Sequence, residues 1–168
     1  QKIAQAIVRQ AKEECAQDIY FVPKDDCYEL YMRIGDERRF IQTYDFDQLA
    51  AVISHFKFLA GMNVGEKRRS QLGSCDYRYD DKETSIRLST VGDYRGYESL
   101  VIRLLHDEET ELKFWFTHFP EFREKFKDRG LYLFSGPVGS GKTTLMHQLA
   151  QLKFKGQQVM SIEDPVEI

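Results

Sequence analysis

The sequence predicts an α/β protein in which a small α+β domain precedes the start of a second domain of the α/β type. Two observations predict the first domain: several short segments alternate apolar and polar residues as strands do, and two longer segments carry apolar residues at helical spacing. A third observation predicts the second domain, because a continuous apolar run at residues 131–134 is followed by a glycine-rich segment and a helical pattern.

The first element is an amphipathic helix predicted over residues 2–16. Its apolar residues recur every three or four positions, which places them on one helical face. A short strand is then predicted over residues 18–22, bounded by Pro23. The predicted buried face of the helix consists of Ala4, Ile7, Val8, Ala11 and Cys15.

A β-hairpin follows. Residues 27–34 alternate, so that Tyr28, Leu30 and Met32, together with Ile34, share one face of a strand. Gly35 and Asp36 are residues typical of a turn, and the chain returns as a second strand over residues 39–43.

A second helix is predicted to begin after Asp45, which is a good N-cap residue with Gln48 three positions later, as in a capping box. Gly61 is suited to end this helix. Its predicted buried stripe consists of Leu49, Val52, Ile53, Phe56 and Leu59 with Ala60.

Three more strands are predicted after a polar stretch at residues 65–74. They cover residues 75–79, 84–90 and 99–105, and short polar turns separate them. Two helices with these strands make a small α+β domain over residues 1–105.

The second domain begins after residues 106–130, which we interpret as a linker and the entry to that domain, and it covers residues 131–168. The run at residues 131–134 is typical of a strand buried on both faces of a parallel sheet. A helix is predicted from about Lys142 to Leu152, and another short strand over residues 159–162.

Composition and charge exclude several classes of protein. The chain carries 24 basic and 27 acidic residues, a net charge of −3, whereas domains that bind duplex DNA usually show a basic excess. Direct binding of nucleic acid is therefore not expected. The three cysteines, Cys15, Cys27 and Cys75, form no CxxC pair, so we expect reduced thiols rather than a metal site. The apolar runs are too short to span a membrane.

The glycine-rich segment GPVGSGKTT fits the Walker A pattern G-x-x-x-x-G-K-[ST], although this pattern also matches unrelated loops by chance. Its context, a buried-strand pattern before it and a helix after it, favours a phosphate-binding loop. Glycines let successive backbone N–H groups converge on phosphate oxygens, and the helix adds its positive N-terminal end. The predicted nucleotide-binding residues are Gly136, Pro137, Val138, Gly139, Ser140, Gly141, Lys142, Thr143 and Thr144, with Lys142 at the β- and γ-phosphates and Thr143 as a Mg²⁺ ligand.

Three further residues are candidates for chemistry. Glu163 lies in an acidic segment just after a predicted strand, where a carboxylate can hold Mg²⁺ or water, although an acidic turn stopped by proline is also a common surface feature. Arg87 and Arg103 each lie on the strand face opposite the main apolar row. Such arginines either reach a phosphate or are ordinary solvated side chains.

Six segments together resemble the secretion and pilus-assembly ATPases of the type II/type IV motor family. They occur in the family's order from one end of the chain to the other. The nearest branch of the family comprises the Gram-positive competence pseudopilus ATPases, which serve DNA uptake. The segments are AQDIYFVP, EKRRSQLG, SIRLST, YESLVIRLL, GPVGSGKTT and SIEDPVE.

The resemblance implies a RecA-like ATPase domain that binds ATP and Mg²⁺, with Glu163 near the metal or the attacking water. Arg87 and Arg103 would act like arginine fingers on the γ-phosphate. It also implies a hexamer in the intact protein and a cytoplasmic location, peripheral on the inner face of the membrane. The partner there would be a polytopic platform protein of the pseudopilus machinery.

Three alternatives stay open at this stage. The motor could serve type II secretion or type IV pilus assembly, because the partner surface cannot be read from these motifs. The protein could be a nucleotide-gated scaffold with no significant hydrolysis, or a small P-loop kinase, which would need neither arginine. The resemblance further implies a fragment that ends before the family's Walker B glutamate and histidine box, so this 168-residue chain is not expected to turn over ATP efficiently.

Overall fold

The computed structural model describes residues 1–105, 121, 124–125, 130–137, 139–154, 156–158 and 160. The chain divides into two compact units, Gln1–Asp107 and Glu108–Ile168. The elements of the first unit are α1 (Lys2–Glu13), β1 (Asp18–Pro23), β2 (Tyr28–Ile34), β3 (Glu37–Tyr44), α2 (Phe46–Leu59), β4 (Gln71–Tyr79), β5 (Lys82–Gly92) and β6 (Glu98–Leu104).

The six strands form one sheet in the order β3-β2-β1-β6-β5-β4, and every neighbouring pair is antiparallel. The first unit is therefore α+β, which confirms the fold class predicted for this part of the chain. One face of the sheet carries the core, where the apolar rows of the strands pack with the apolar faces of α1 and α2. Representative core residues are Ile7, Val8, Phe21, Leu30, Val52, Phe56, Ile86, Leu88 and Ile102.

The predicted second helix is confirmed, with both of its ends. Asp45 and Gln48 form the capping box at its start. At its end Gly61 takes a positive φ of 67°. The Gly61 N–H donates to the Phe58 carbonyl and the Met62 N–H donates to the Lys57 carbonyl, at 3.2 and 2.9 Å. This is a Schellman motif, which explains why glycine suits the position.

Three local predictions were wrong. The first helix ends at Glu13, and Cys15 is exposed with a φ of 54°, because the Ala16 N–H turns back to the Ala11 carbonyl and closes the helix. Leu59 is exposed, since the helix turns Lys57 toward the core instead. Strand β4 begins at Gln71 rather than at residue 75, because its first residues pair with β5 even though their sequence is polar.

The described part of the second unit is dominated by α3 (Lys142–Lys153), which confirms the helix predicted there. The strand predicted over residues 131–134 was wrong: these residues are not in a strand, and Leu131 and Leu133 are exposed. A continuous apolar run becomes a buried strand only where neighbouring strands cover both of its faces. The strand predicted over residues 159–162 lies mostly outside the described residues. Across the residues that the structure describes, no helix combines the length and apolarity needed to cross a membrane.

Candidate nucleotide-binding and arginine sites

The glycine-rich loop has the backbone geometry that the sequence pattern predicts. Gly139 and Gly141 have φ values of 76° and 85°, in the left-handed region that residues other than glycine rarely adopt. Gly141 is the N-cap of α3, so the helix begins directly after the loop at Lys142. The loop is therefore followed by the helix N-terminus, where backbone N–H groups lack partners within the helix.

The Lys142 side chain folds back over the loop. Its Nζ donates to the Gly136 carbonyl at 2.9 Å and to the Pro137 carbonyl at 2.7 Å. A Cβ atom at Gly136 would lie 2.8 Å from the Ser140 Oγ, so a larger residue there would require the Ser140 hydroxyl to rotate away. The ammonium group is thus held at the centre of the loop by carbonyl oxygens that a phosphate oxygen could replace.

These residues fit a nucleotide phosphate. The loop provides positive-φ glycines, a helix N-terminus and one lysine ammonium at the same point, which is the donor set that a polyphosphate requires. Thr143, in the first turn of α3, is half-buried and Thr144 is exposed. A hydroxyl next to the lysine suits Mg²⁺, which prefers oxygen ligands and takes most of them from phosphates and water. Val138 and Glu163 lie outside the described residues.

The two candidate arginines lie side by side in the first unit. The register of β5 and β6 places Arg87 directly opposite Arg103. Their strand neighbours Ile86, Leu88, Ile102 and Leu104 are buried in the core, so both arginines lie on the other face of the sheet, as the alternation of each strand predicts. The pairing itself joins positions 16 residues apart and was not predicted from the sequence.

A carboxylate that sequence reasoning missed lies next to this pair. In the register of β1 and β6, Asp18 lies opposite Arg103, whose Nε donates to the Asp18 Oδ1 at 3.0 Å. On its other side Asp18 lies opposite Arg33 of β2, with 3.7 Å between Arg33 Nε and Asp18 Oδ2. Asp18 is the first residue of β1, where strand alternation alone says little about burial, and its side chain is only 5% exposed.

A second feature missed from the sequence is a buried ion pair at one end of the sheet. Lys57 Nζ lies 2.8 and 3.0 Å from the two carboxylate oxygens of Glu98, and it also donates to the Glu66 carbonyl at 2.7 Å. The Tyr28 hydroxyl donates to the Glu98 carbonyl at 2.8 Å, and burial raises the pKa of Tyr28 to about 12. The pair joins α2 to β6 and to the loop that precedes β4.

The loop before β4 is further ordered by Glu66. Its carboxylate accepts the backbone N–H groups of Arg68 and Arg69 at 2.8 and 3.1 Å. These two bonds stabilise the ionised form and lower the pKa of Glu66 below its usual range. The loop therefore holds a compact turn whose stability depends on the charge of this carboxylate.

Comparison with known proteins assigns these features to a family. The family model described as type II/IV secretion system protein matches residues 1–168. The chain belongs to this family.

Individual relatives differ widely in their similarity to this member of the family. The chain is 72% identical to competence protein ComGA of Streptococcus pneumoniae over 168 residues, which are 100% of this chain and 54% of that protein. It is 33% identical to type II secretion system protein E of Xanthomonas campestris pv. campestris over 173 residues, 99% of this chain and 30% of that protein. Among solved structures, the Legionella pneumophila ATPase DotB aligns with a TM-score of 0.42 and 14% identity, covering 88% of this chain and 40% of that one. The chain spans about half the length, or less, of these curated relatives.

Proposed function

We propose that this chain belongs to an ATP-hydrolysing motor that powers assembly of a competence pseudopilus for DNA uptake. The observation that carries the proposal is the loop around Lys142, whose ammonium, positive-φ glycines and following helix suit a nucleoside triphosphate. The identity of 72% to a competence protein supports the choice of system.

Each residue of the loop has a distinct part in this proposal. The Lys142 ammonium exchanges its carbonyl partners for oxygens of the β- and γ-phosphates, while the N–H groups at the start of α3 bind the phosphates from the other side. Thr143 contributes its hydroxyl to Mg²⁺. Bound ATP supplies the phosphoanhydride bond whose hydrolysis drives the motor, and Mg²⁺ neutralises charge that develops on the phosphates.

The remaining predicted residues act at the γ-phosphate in this proposal. Glu163 holds the metal or orients the attacking water. Arg87 and Arg103 stabilise the negative charge of the transition state, for which a guanidinium is well suited because it stays ionised and can donate two parallel bonds. Loss of the γ-phosphate would release these contacts and let the small domain move, which converts hydrolysis into motion.

The proposal includes an arrangement of domains and partners. Residues 1–105 form the small N-terminal domain, residues 106–130 the linker and entry, and residues 131–168 the first portion of a RecA-like domain. In the intact protein a hexamer lets each domain act on a neighbouring nucleotide. The motor is cytoplasmic and docks peripherally on a membrane platform protein of the pseudopilus machinery.

ATP turnover of the full-length protein tests the enzymatic part of the proposal. We expect Lys142→Ala to abolish turnover, and Arg87→Ala to lower kcat by about 10³-fold or more while ATP still binds. Arg78→Ala is the matched control, because Arg78 lies on β4, is 83% exposed and pairs only with Glu83 among the described ion pairs. Turnover of Arg87→Ala at the wild-type rate would withdraw the arginine role. Binding of ATP without turnover in the wild type would favour the scaffold alternative.

The biological part of the proposal is tested in the cells that carry the gene. We expect Lys142→Ala at the chromosomal locus to abolish uptake of transforming DNA and Arg78→Ala to leave it intact. Normal DNA uptake with loss of protein secretion or of surface pili would instead assign the motor to type II secretion or type IV pilus assembly, which the more distant relatives make the next choice.

A further inference from the structure

One carboxylate is buried among arginines on the face of the sheet opposite the core. A single cross-strand row runs over all six strands through Ser74, Arg87, Arg103, Asp18, Arg33 and Arg38. Within this row, which lies entirely in the described range 1–105, Asp18 is the sole acidic residue. It is therefore the one negative charge in a row that carries four arginines.

The position of Asp18 in the row is significant because like charges directly opposite each other destabilise a sheet. Arg87 lies opposite Arg103, and Arg33 lies opposite Arg38. Asp18 separates these two pairs. Its carboxylate accepts from Arg103 Nε at 3.0 Å and from the Tyr20 hydroxyl at 3.3 Å, and Tyr20 accepts in turn from Arg33 Nε at 3.0 Å.

The difference in exposure between the two partners shows which of them holds the other. The Asp18 side chain is buried, whereas the Arg103 side chain is half exposed. A bond from Nε to an oxygen of a buried side chain restrains the direction of the guanidinium plane, which in a solvated arginine is free to rotate about several bonds. The buried carboxylate thus acts as the fixed point and the arginine as the group that it orients.

We infer that Asp18 is a positioning residue that holds Arg103, beside Arg87, in the orientation required at the γ-phosphate. The inference rests on the proposed function, because it assumes that Arg103 meets the nucleotide. It adds that Arg103 is preorganised before ATP binds, since its bond to Asp18 needs no ligand.

Steady-state kinetics of the full-length protein test the inference. We expect Asp18→Asn, which keeps the shape of the side chain but removes its charge, to lower kcat by about 10- to 100-fold with little change in the KM for ATP. If Asp18 acts through Arg103, adding Asp18→Asn to Arg103→Ala should produce no further loss. The matched control is Asp80→Asn, which also removes an arginine partner, that of Arg9, but on the exposed surface.

The kinetic outcomes separate the inference from the proposed function. Normal turnover of Arg103→Ala would overturn the role of that arginine and with it the positioning by Asp18. A large loss in Arg103→Ala combined with normal turnover in Asp18→Asn would leave the proposed function standing and overturn the inference alone. Fully multiplicative losses in the double variant would also overturn it, because Asp18 would then act independently of Arg103.

A measurement on the unsubstituted 168-residue chain tests the orientation without ATP and without any variant. The exchange rate of each arginine Nε–H with water can be followed by NMR. We expect the Nε–H of Arg103 to exchange about tenfold more slowly than that of Arg78, whose bond to Glu83 of 3.0 Å has the same length but lies between exposed side chains. Equal exchange rates would show that Asp18 does not immobilise the guanidinium and would overturn the inference.

Discussion

The buried ion pair between Lys57 and Glu98 gives the sharpest prediction about stability. The Lys57 side chain is 0% exposed and that of Glu98 is 7% exposed, so neither charge is solvated. Glu98→Gln leaves the Lys57 ammonium buried with only carbonyl and amide oxygens as partners. Removing one member of a buried pair costs about 3–5 kcal/mol, because the other charge remains desolvated.

The magnitude can be measured by urea unfolding of the chain. If the free energy of unfolding falls by about 2 kcal/mol for each molar of urea, a variant whose free energy of unfolding is lower by about 4 kcal/mol unfolds at a midpoint about 2 M lower. The matched control is Asp80→Asn, which breaks the exposed pair with Arg9, and exposed pairs contribute about 0–1 kcal/mol.

A double variant completes the prediction. Replacing both members by apolar residues, Lys57→Met with Glu98→Leu, should be less destabilising than the sum of the single changes, because no charge is then left buried alone. If Glu98→Gln cost no more than Asp80→Asn, water would have to reach the Lys57 ammonium, and the reasoning from burial would be refuted.

Three further predictions concern local structure in the first unit. Gly92→Ala should lower the free energy of unfolding by about 1–3 kcal/mol in urea titrations, because its Cβ would lie 2.0 Å from the Lys67 carbonyl oxygen; an unchanged midpoint would contradict this close approach. Asp45→Ala should cost about 0.5–2 kcal/mol in thermal unfolding, because it removes the N-cap of α2, and a helix that melts at the same temperature would exclude the capping role. Glu66→Gln should destabilise the chain at about pH 7 but much less at about pH 3, because a lowered pKa gives stability that is present above the ordinary value of 4.5 and lost as the pH falls through the folded-state value. If the urea midpoint of Glu66→Gln differed from that of the wild type by the same amount at both pH values, the charge of Glu66 could not be the source of the difference.

Local patterns in the sequence predicted most of the secondary structure. Periodicity within each strand predicted which residues of β2, β5 and β6 are buried, because alternation is a property of contiguous residues. The same logic failed at residues 131–134, since a continuous apolar run forms a strand only where neighbouring strands cover it. It also failed at Lys57, because a lysine on a helical face is normally assigned to solvent and only a buried carboxylate elsewhere in the chain makes its burial possible.

The sequence by itself determined the candidate phosphate-binding loop, because its glycines, lysine and helix start are consecutive and their conformation is local. The alternation of each strand also predicted that Arg87 and Arg103 lie on the face of the sheet opposite the core. Only the tertiary structure decided that these two arginines oppose each other, that Asp18 lies buried beside them, and that Lys57 meets Glu98 across 41 positions. The physical reason is that register between distant segments depends on how the whole sheet and its helices pack, and no contiguous stretch of sequence contains that information.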